Sequence, residues 1–74
     1  MSTQKNKTLL ELGQRIRSLR KEKGWTQTDM AVNLDIGRTH LSDIEQGKRD
    51  LGVITLQVIA KGLDTKMSDL LKGL

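Results

Sequence analysis

The chain has no cysteine and no proline, and Trp25 is its only aromatic residue. Without thiols it can form neither disulfides nor thiolate metal sites, and the single histidine, His40, cannot supply the ligand set of a zinc site. The interior has to be built mainly from Leu, Ile, Val and Met, which favours helices over a sheet. We therefore expect an all-α protein with no metal and no cofactor.

Long apolar segments are also missing. No stretch approaches the roughly 20 apolar residues of a membrane span, and residues 1–7 lack the apolar centre of a secretory signal. A chain of 74 residues has room for one domain. We expect a single-domain cytoplasmic protein that is neither inserted in a membrane nor exported.

Positive charge, in contrast, is in surplus. The formal net charge is +4, and the basic residues are concentrated in the first predicted helix and just after the third. They are Arg15, Arg17, Arg20, Lys21, Lys23, Lys48 and Arg49. A surplus of this size favours an anionic partner such as nucleic acid.

Apolar residues recur at steps of three and four in the first third of the chain. They are Leu9, Leu12, Ile16 and Leu19. The spacing predicts an amphipathic helix over Leu9–Lys23, which Gly24 ends. Residues 1–8 precede this pattern, and we expect them to form a flexible N-terminal tail.

Two short helices are predicted next, and only three residues separate them. Thr26 is a favourable N-cap whose capping box Asp29 completes, so the second helix starts at Gln27. Residues 35–37 interrupt the apolar spacing before the third helix, predicted over Arg38–Gln46. Two helices joined so tightly must cross steeply.

The third predicted helix has one apolar and one polar side. Leu41 and Ile44 share the side that faces the core. The opposite side carries Thr39, Ser42, Asp43 and Gln46, with Arg38 at the N-terminus. Short donors and acceptors on a rigid helix suit the major groove of DNA.

Two further helices are predicted in the C-terminal third. One opens near Gly52, and its apolar side consists of Val53, Leu56, Ile59, Ala60 and Leu63. The other carries Met67, Leu70, Leu71 and Leu74 at positions i, i+3, i+4 and i+7. This second stripe is larger than a chain end ordinarily needs, so we predict that it forms a dimer interface.

Residues 26–49 resemble the Xre/Cro/C1-type helix-turn-helix proteins. The similarity extends from Leu12 to Leu71 and rests on a combination of positions: Gln27, Ala31, Ile36, Leu41 and the sequence Ile-Glu-Gln-Gly-Lys-Arg at residues 44–49. Within that family, the small size and the segments 37–42 and 47–49 look most like the controller proteins of restriction-modification systems. The resemblance implies a compact five-helix, lambda-repressor-like domain over residues 9–74, with a C-terminal dimerisation helix.

The resemblance also implies a function and roles for individual residues. The expected function is transcriptional regulation, through binding of a homodimer to a pseudo-palindromic operator in double-stranded DNA. The expected base-reading residues are Arg38, Thr39, Ser42, Asp43 and Arg49. The expected contacts to the DNA backbone come from Gln27, His40, Gln46 and Lys48. Arg20 and Glu45 are expected to form a partly buried ion pair between the first and third helices.

Three positions depart from the family pattern. Asp35 stands in the turn where relatives often have glycine, and Gly37 stands where a serine or threonine usually caps the third helix. Asp50 replaces an asparagine that some relatives place near DNA. Because aspartate tolerates left-handed geometry and glycine is an acceptable N-cap, we expect the motif to survive the first two changes.

Several alternatives remain open from the sequence. Asp43 can accept a hydrogen bond from a cytosine amino group, or it can repel phosphates and so restrict register. The apolar C-terminal stripe also fits an antitoxin-like module that binds a protein partner. An enzyme is the least favoured class, since no nucleophile–base pair, phosphate loop or paired carboxylates stand out. We expect no small-molecule ligand.

Overall fold

The computed structural model describes the backbone of residues 3–74 and the side chains from Asn6 onward. Within that range the chain forms five α-helices and no strand. The helices are α1 (Thr3–Glu22), α2 (Gln27–Leu34), α3 (Arg38–Glu45), α4 (Val53–Gly62) and α5 (Met67–Leu71). The predicted all-α, five-helix architecture is therefore confirmed, and none of the described helices is both long enough and apolar enough to cross a membrane.

The N-terminal boundary of α1 corrects the predicted tail. The helix begins at Thr3 rather than Leu9, so residues 3–8 are helical, while Met1 and Ser2 lie outside the described residues. Residues 3–8 carry no apolar stripe, which was the signal for the predicted start, but they also contain no proline or glycine. A helix already anchored by its packed part extends with one hydrogen bond per added residue.

The caps of α2 and α3 form the tight turn between these helices. Thr26 Oγ1 accepts from the Asp29 backbone N–H at 3.0 Å, and Asp29 Oδ2 accepts from the Thr26 N–H at 2.9 Å, which completes the predicted capping box. Asp35 ends α2 in the left-handed region, with φ 55°. Gly37 caps α3 without a side-chain hydrogen bond. This turn places α3 across α2.

The core lies where α1 packs on α3 and α5, and where α4 packs on α2 and α5. It consists almost entirely of aliphatic side chains, as the composition requires. Its buried members are Leu12, Ile16, Met30, Ala31, Leu41, Ile44, Leu56, Ile59, Ala60, Leu63 and Leu70. Because α3 contributes two of them and contacts both α1 and α2, it is held rigidly while its other side remains outside the core.

Two glycines allow α1 to approach the end of α3 closely. A Cβ atom on Gly13 would meet the backbone carbonyl oxygen of Ile44 and lie 2.6 Å from that of Glu45. Gly47 has φ 72°, and a Cβ atom there would lie 2.7 Å from Leu10 Cα. Any larger residue at these positions would push α1 away from α3.

Candidate DNA-binding surface

The polar side of α3 faces outward, as the helical spacing predicts. Leu41 and Ile44 are fully buried, whereas Arg38 and Thr39 are exposed. Ser42 and Asp43 are half-buried on the same side, and Gln46 is exposed at the C-cap. The structure thus brings the α3 residues of the predicted site onto one surface.

Two side-chain pairs organise the C-terminal half of this surface. Gln46 Nε2 donates to Ser42 Oγ at 2.9 Å. Arg49 Nη2 lies 3.7 Å from Asp43 Oδ2. Arg38, by contrast, forms no hydrogen bond or ion pair with the described part of the chain, so its guanidinium is available to a ligand.

A Schellman turn after α3 brings Arg49 back over Asp43. The Lys48 N–H donates to the Asp43 carbonyl at 2.9 Å and the Gly47 N–H donates to the Ile44 carbonyl at 3.1 Å, with Gly47 in the left-handed region. The Asp43–Arg49 pair was missed from the sequence. The signal that could have found it is Gly47 itself, because a left-handed glycine after a helix reverses the chain.

The predicted phosphate contacts lie beside α3. Lys48 is exposed directly after the helix. His40 is half-buried and lines a shallow cavity between the helix-helix turn and α4, together with Ile36 and Ile54. His40 is therefore partly accessible for the predicted contact with the DNA backbone.

Gln27 is the first residue of α2, and its side chain connects the candidate surface to the buried Glu45. Its Nε2 donates to Glu45 Oε1 at 3.1 Å, and its side chain is half-buried. A primary amide has two N–H donors, so one remains for the predicted contact to a phosphate. The bond to Glu45 fixes where that donor points.

Arg20 and Glu45 form the ion pair that the family resemblance implies. Arg20 Nε donates to Glu45 Oε2 at 2.7 Å, and Nη2 donates to Oε1 at 3.1 Å. Arg20 Nη1 also donates to the Trp25 carbonyl at 2.7 Å. Both charged side chains are more than nine-tenths buried. Through these hydrogen bonds Arg20 of α1 binds both the α1–α2 loop and α3.

The structure corrects the predicted dimer stripe at two positions, because Leu74 lies beyond α5, which ends at Leu71, and Leu70 is buried. Leu70 is only 1% exposed because α5 packs on α1 and α4, so this side chain belongs to the core of the monomer. Leu71 is 41% exposed, and Met67 and Leu74 are partly buried against the core. Leu71 is thus the main apolar group that α5 offers to a partner.

Another exposed apolar surface lies at the start of α4. Val53 was predicted to face the core, but it and Ile54 are each 70% exposed. The apolar spacing of α4 runs through Leu56, Ile59 and Leu63, and the first turn lies outside the packed part of the helix.

The comparisons with known proteins agree with this geometry. A family model described as helix-turn-helix matches residues 16–70. The control protein C.MunI from a Mycoplasma species is 36% identical over 66 residues, which cover 88% of this chain and 89% of that protein.

Two solved structures of restriction-modification controller proteins are also similar. One is C.AhdI from Aeromonas hydrophila, with a TM-score of 0.80, 31% identity, and coverage of 84% of this chain and 94% of that one. The other is the C.Esp1396I tetramer in complex with its natural 35-base-pair operator, with a TM-score of 0.76, 35% identity, and coverage of 85% and 83%. The chain belongs to the helix-turn-helix family and is a DNA-binding transcriptional regulator.

Proposed function

We propose that this regulator binds a pseudo-palindromic operator as a homodimer and controls the genes of a restriction-modification system. The observation that carries the proposal is the outward polar surface of α3, which is narrow and anchored by buried Leu41 and Ile44. Arg38 heads this surface and has no hydrogen-bond or ion-pair partner among the described residues. The similarity to control proteins over nearly the whole chain supports the choice of target genes. The cytoplasm is the proposed compartment, because the operator lies there.

The proposed contacts divide into base readout and positioning on the backbone. Arg38 reads guanine or contacts a phosphate at the head of α3, and Thr39 and Ser42 meet base edges. Gln27 and Lys48 position the domain on the phosphates, with further contacts from His40 and Gln46. Free N–H groups at the start of α2 add to the phosphate site of Gln27. The mechanism is passive occupancy of a promoter, with no catalysis and no cofactor.

A homodimer is part of the proposal because one recognition helix reads only a few base pairs. Two copies on a two-fold site separated by about 34 Å, one turn of DNA, double the number of bases read. We assign the contact between copies to the exposed part of α5, centred on Leu71, with Met67 and Leu74 beside it.

Selection of random duplex DNA on the purified protein at near-physiological salt tests the proposal. We expect a two-fold symmetric site, and we expect the preference for that site to collapse in the double variant Arg38→Ala/Thr39→Ala. The matched control is Arg17→Ala/Ser18→Ala, which also removes one arginine and one neighbouring hydroxyl, but from α1, where Ser18 lines the groove towards α5.

Either of two results would count against operator binding through α3. One is the absence of any enriched sequence, with residual binding that only fades as salt rises. The other is an equal loss of preference in the control variant. A search for a protein partner of α5, as the antitoxin-like alternative requires, would then be the next step.

A further inference from the structure

The two arginines of the candidate surface are held differently. Arg38 has no partner in the described part of the chain, whereas Arg49 lies 3.7 Å from the Asp43 carboxylate through its Nη2 atom. The Schellman turn at Gly47 creates this pair, since Asp43 and Arg49 are six residues apart and otherwise would not face each other.

The pair is exposed enough to respond to DNA. The side chain of Asp43 is 32% exposed and that of Arg49 is 51% exposed. Ion pairs of this kind are weak in water, so a stronger ligand can compete for the guanidinium. The pair therefore biases the position of Arg49 without locking it.

A guanidinium paired through one nitrogen keeps other N–H donors for a second partner. Arginine has five N–H donors in a planar fork, and bidentate contact with guanine O6 and N7 uses only two of them. A guanine edge can thus bind Arg49 while Asp43 remains paired with Nη2. A phosphate differs, because its negative charge would be brought close to the Asp43 carboxylate.

We propose that Asp43 is a positioning residue that acts through Arg49 and raises the preference of the protein for its operator over other DNA. The carboxylate holds the guanidinium on the recognition surface and disfavours its use as a general phosphate contact. Specificity then comes from weaker binding to other DNA sequences as well as from tighter binding to the operator. This inference rests on the proposed function, since it assigns a role within the same surface.

The test compares five proteins: wild type, Asp43→Asn, Arg49→Ala, Asp43→Asn/Arg49→Ala and the charge control Asp69→Asn. Asp69 lies on α5, and its substitution changes the net charge by the same amount without touching α3. Dissociation constants are measured for the selected duplex and for a shuffled duplex of equal length, each over a range of salt concentrations. Thermal melting monitors the fold of every variant.

We expect Asp43→Asn to tighten binding to the shuffled duplex by about fivefold, the upper range for loss of an exposed ion pair. The slope of log K against log salt on that duplex should become steeper by about 0.9, because Arg49 gains one phosphate contact. The ratio of operator to shuffled affinity should fall by about the same fivefold. Asp69→Asn should leave both the slope and the ratio near those of wild type, since its charge is screened over about 8 Å.

The Arg49→Ala background decides whether Asp43 acts through Arg49. In the protein that carries Arg49→Ala, adding Asp43→Asn should no longer steepen the slope of log K against log salt on the shuffled duplex. An equal steepening in that background would overturn the inference, because Asp43 would then act on DNA by its own charge. So would a loss of operator affinity on Asp43→Asn that is equally large in the Arg49→Ala background, because it indicates that Asp43 itself contacts a base. If wild type selects no site, the proposed function fails, while the slopes on arbitrary DNA still decide the role of the pair.

Discussion

Arg20 and Glu45 make the same kind of contact as an exposed pair elsewhere in the molecule, but in a different environment. The Arg20–Glu45 distance is 2.7 Å and both side chains are buried. Lys23 and Asp64 are also 2.7 Å apart, yet the side chain of Asp64 is 79% exposed. Water can replace the partner of an exposed charge, whereas a buried charge that loses its partner remains in a medium that solvates it poorly.

We therefore expect Arg20→Met and Glu45→Leu to be strongly destabilising as single substitutions, by about 3–5 kcal/mol each. The double variant Arg20→Met/Glu45→Leu should be more stable than either single one, because no unpaired buried charge remains. Urea denaturation gives the free energy of unfolding for the three proteins.

The control for this cycle is Asp64→Asn, which breaks the exposed pair but keeps the Lys23 ammonium over the Trp25 ring, and should lower stability by at most about 1 kcal/mol. A double variant that is less stable than both single variants would contradict the prediction. It would mean that the hydrogen bonds from Arg20 to the Trp25 carbonyl and from Gln27 to Glu45 contribute more than the ion pair itself.

At the scale of the helices, the N-termini of α2 and α3 are capped very differently. Thr26 provides α2 with a reciprocal capping box, but Gly37 provides α3 with no side-chain acceptor. The Gly37 backbone has φ −58° and ψ 138°, which other residues adopt without strain. A Cβ atom there would lie 3.8 Å from His40 Cβ, an ordinary contact distance.

We expect Gly37→Ser to raise the free energy of unfolding by about 0.5–1 kcal/mol, through a hydroxyl that accepts from an N–H of the first turn and through reduced entropy of the unfolded chain. Thermal melting should show an increase of several degrees, since about 1 kcal/mol shifts the midpoint of a domain this small by roughly 4–8 °C. Gly37→Ala reduces the same entropy but has no hydroxyl. Equal stability of the serine and alanine variants would exclude the capping contribution.

The crossing of α1 and α3 depends on Gly13. We expect Gly13→Ala to lower stability by about 1–3 kcal/mol, because the new Cβ atom meets the carbonyl groups of Ile44 and Glu45 and the backbones must separate. This loss exceeds the gain of up to about 1 kcal/mol in helix propensity. Gly52→Ala is the control, since its Cβ atom would enter open space. Urea denaturation that gave equal stabilities for the two variants would show that α1 can move away without penalty.

The sequence predicts helix positions well where a local rule decides them. The ends of α2 and the turn at residues 35–37 follow from capping and backbone preferences that only neighbouring residues control. The start of α1 could not be predicted in this way, because the apolar periodicity detects the packed part of a helix and not its polar extension. The exposed position of Val53 was missed for a related reason, since an apolar residue at the end of a helix satisfies the periodicity whether or not the core reaches it.

At the scale of the whole molecule, the sequence predicts apolar surfaces but not whether each one packs within its own monomer or against a second copy of the chain. The apolar spacing correctly predicts a helix at Met67–Leu71, but Leu74 lies beyond it, and Leu70 packs in its own monomer while Leu71 does not. The long-range Arg20–Glu45 contact was likewise reached through the family resemblance, because 25 residues separate its members. Contacts of this kind depend on the tertiary arrangement.

Self-association should depend on Leu71 if α5 joins two copies of the chain. We expect Leu71→Gln to weaken the dimer and, in parallel, binding to a two-fold operator, because a polar amide replaces an apolar side chain at the contact. Sedimentation equilibrium measures the first effect, and titration of the selected duplex measures the second. The control is Leu10→Gln, since Leu10 is exposed to a similar extent, 46% against 41%, but lies on α1. If only the control or neither variant changed self-association, the contact would have to be sought at Val53 and Ile54, and the same two measurements on Ile54→Gln would locate it there.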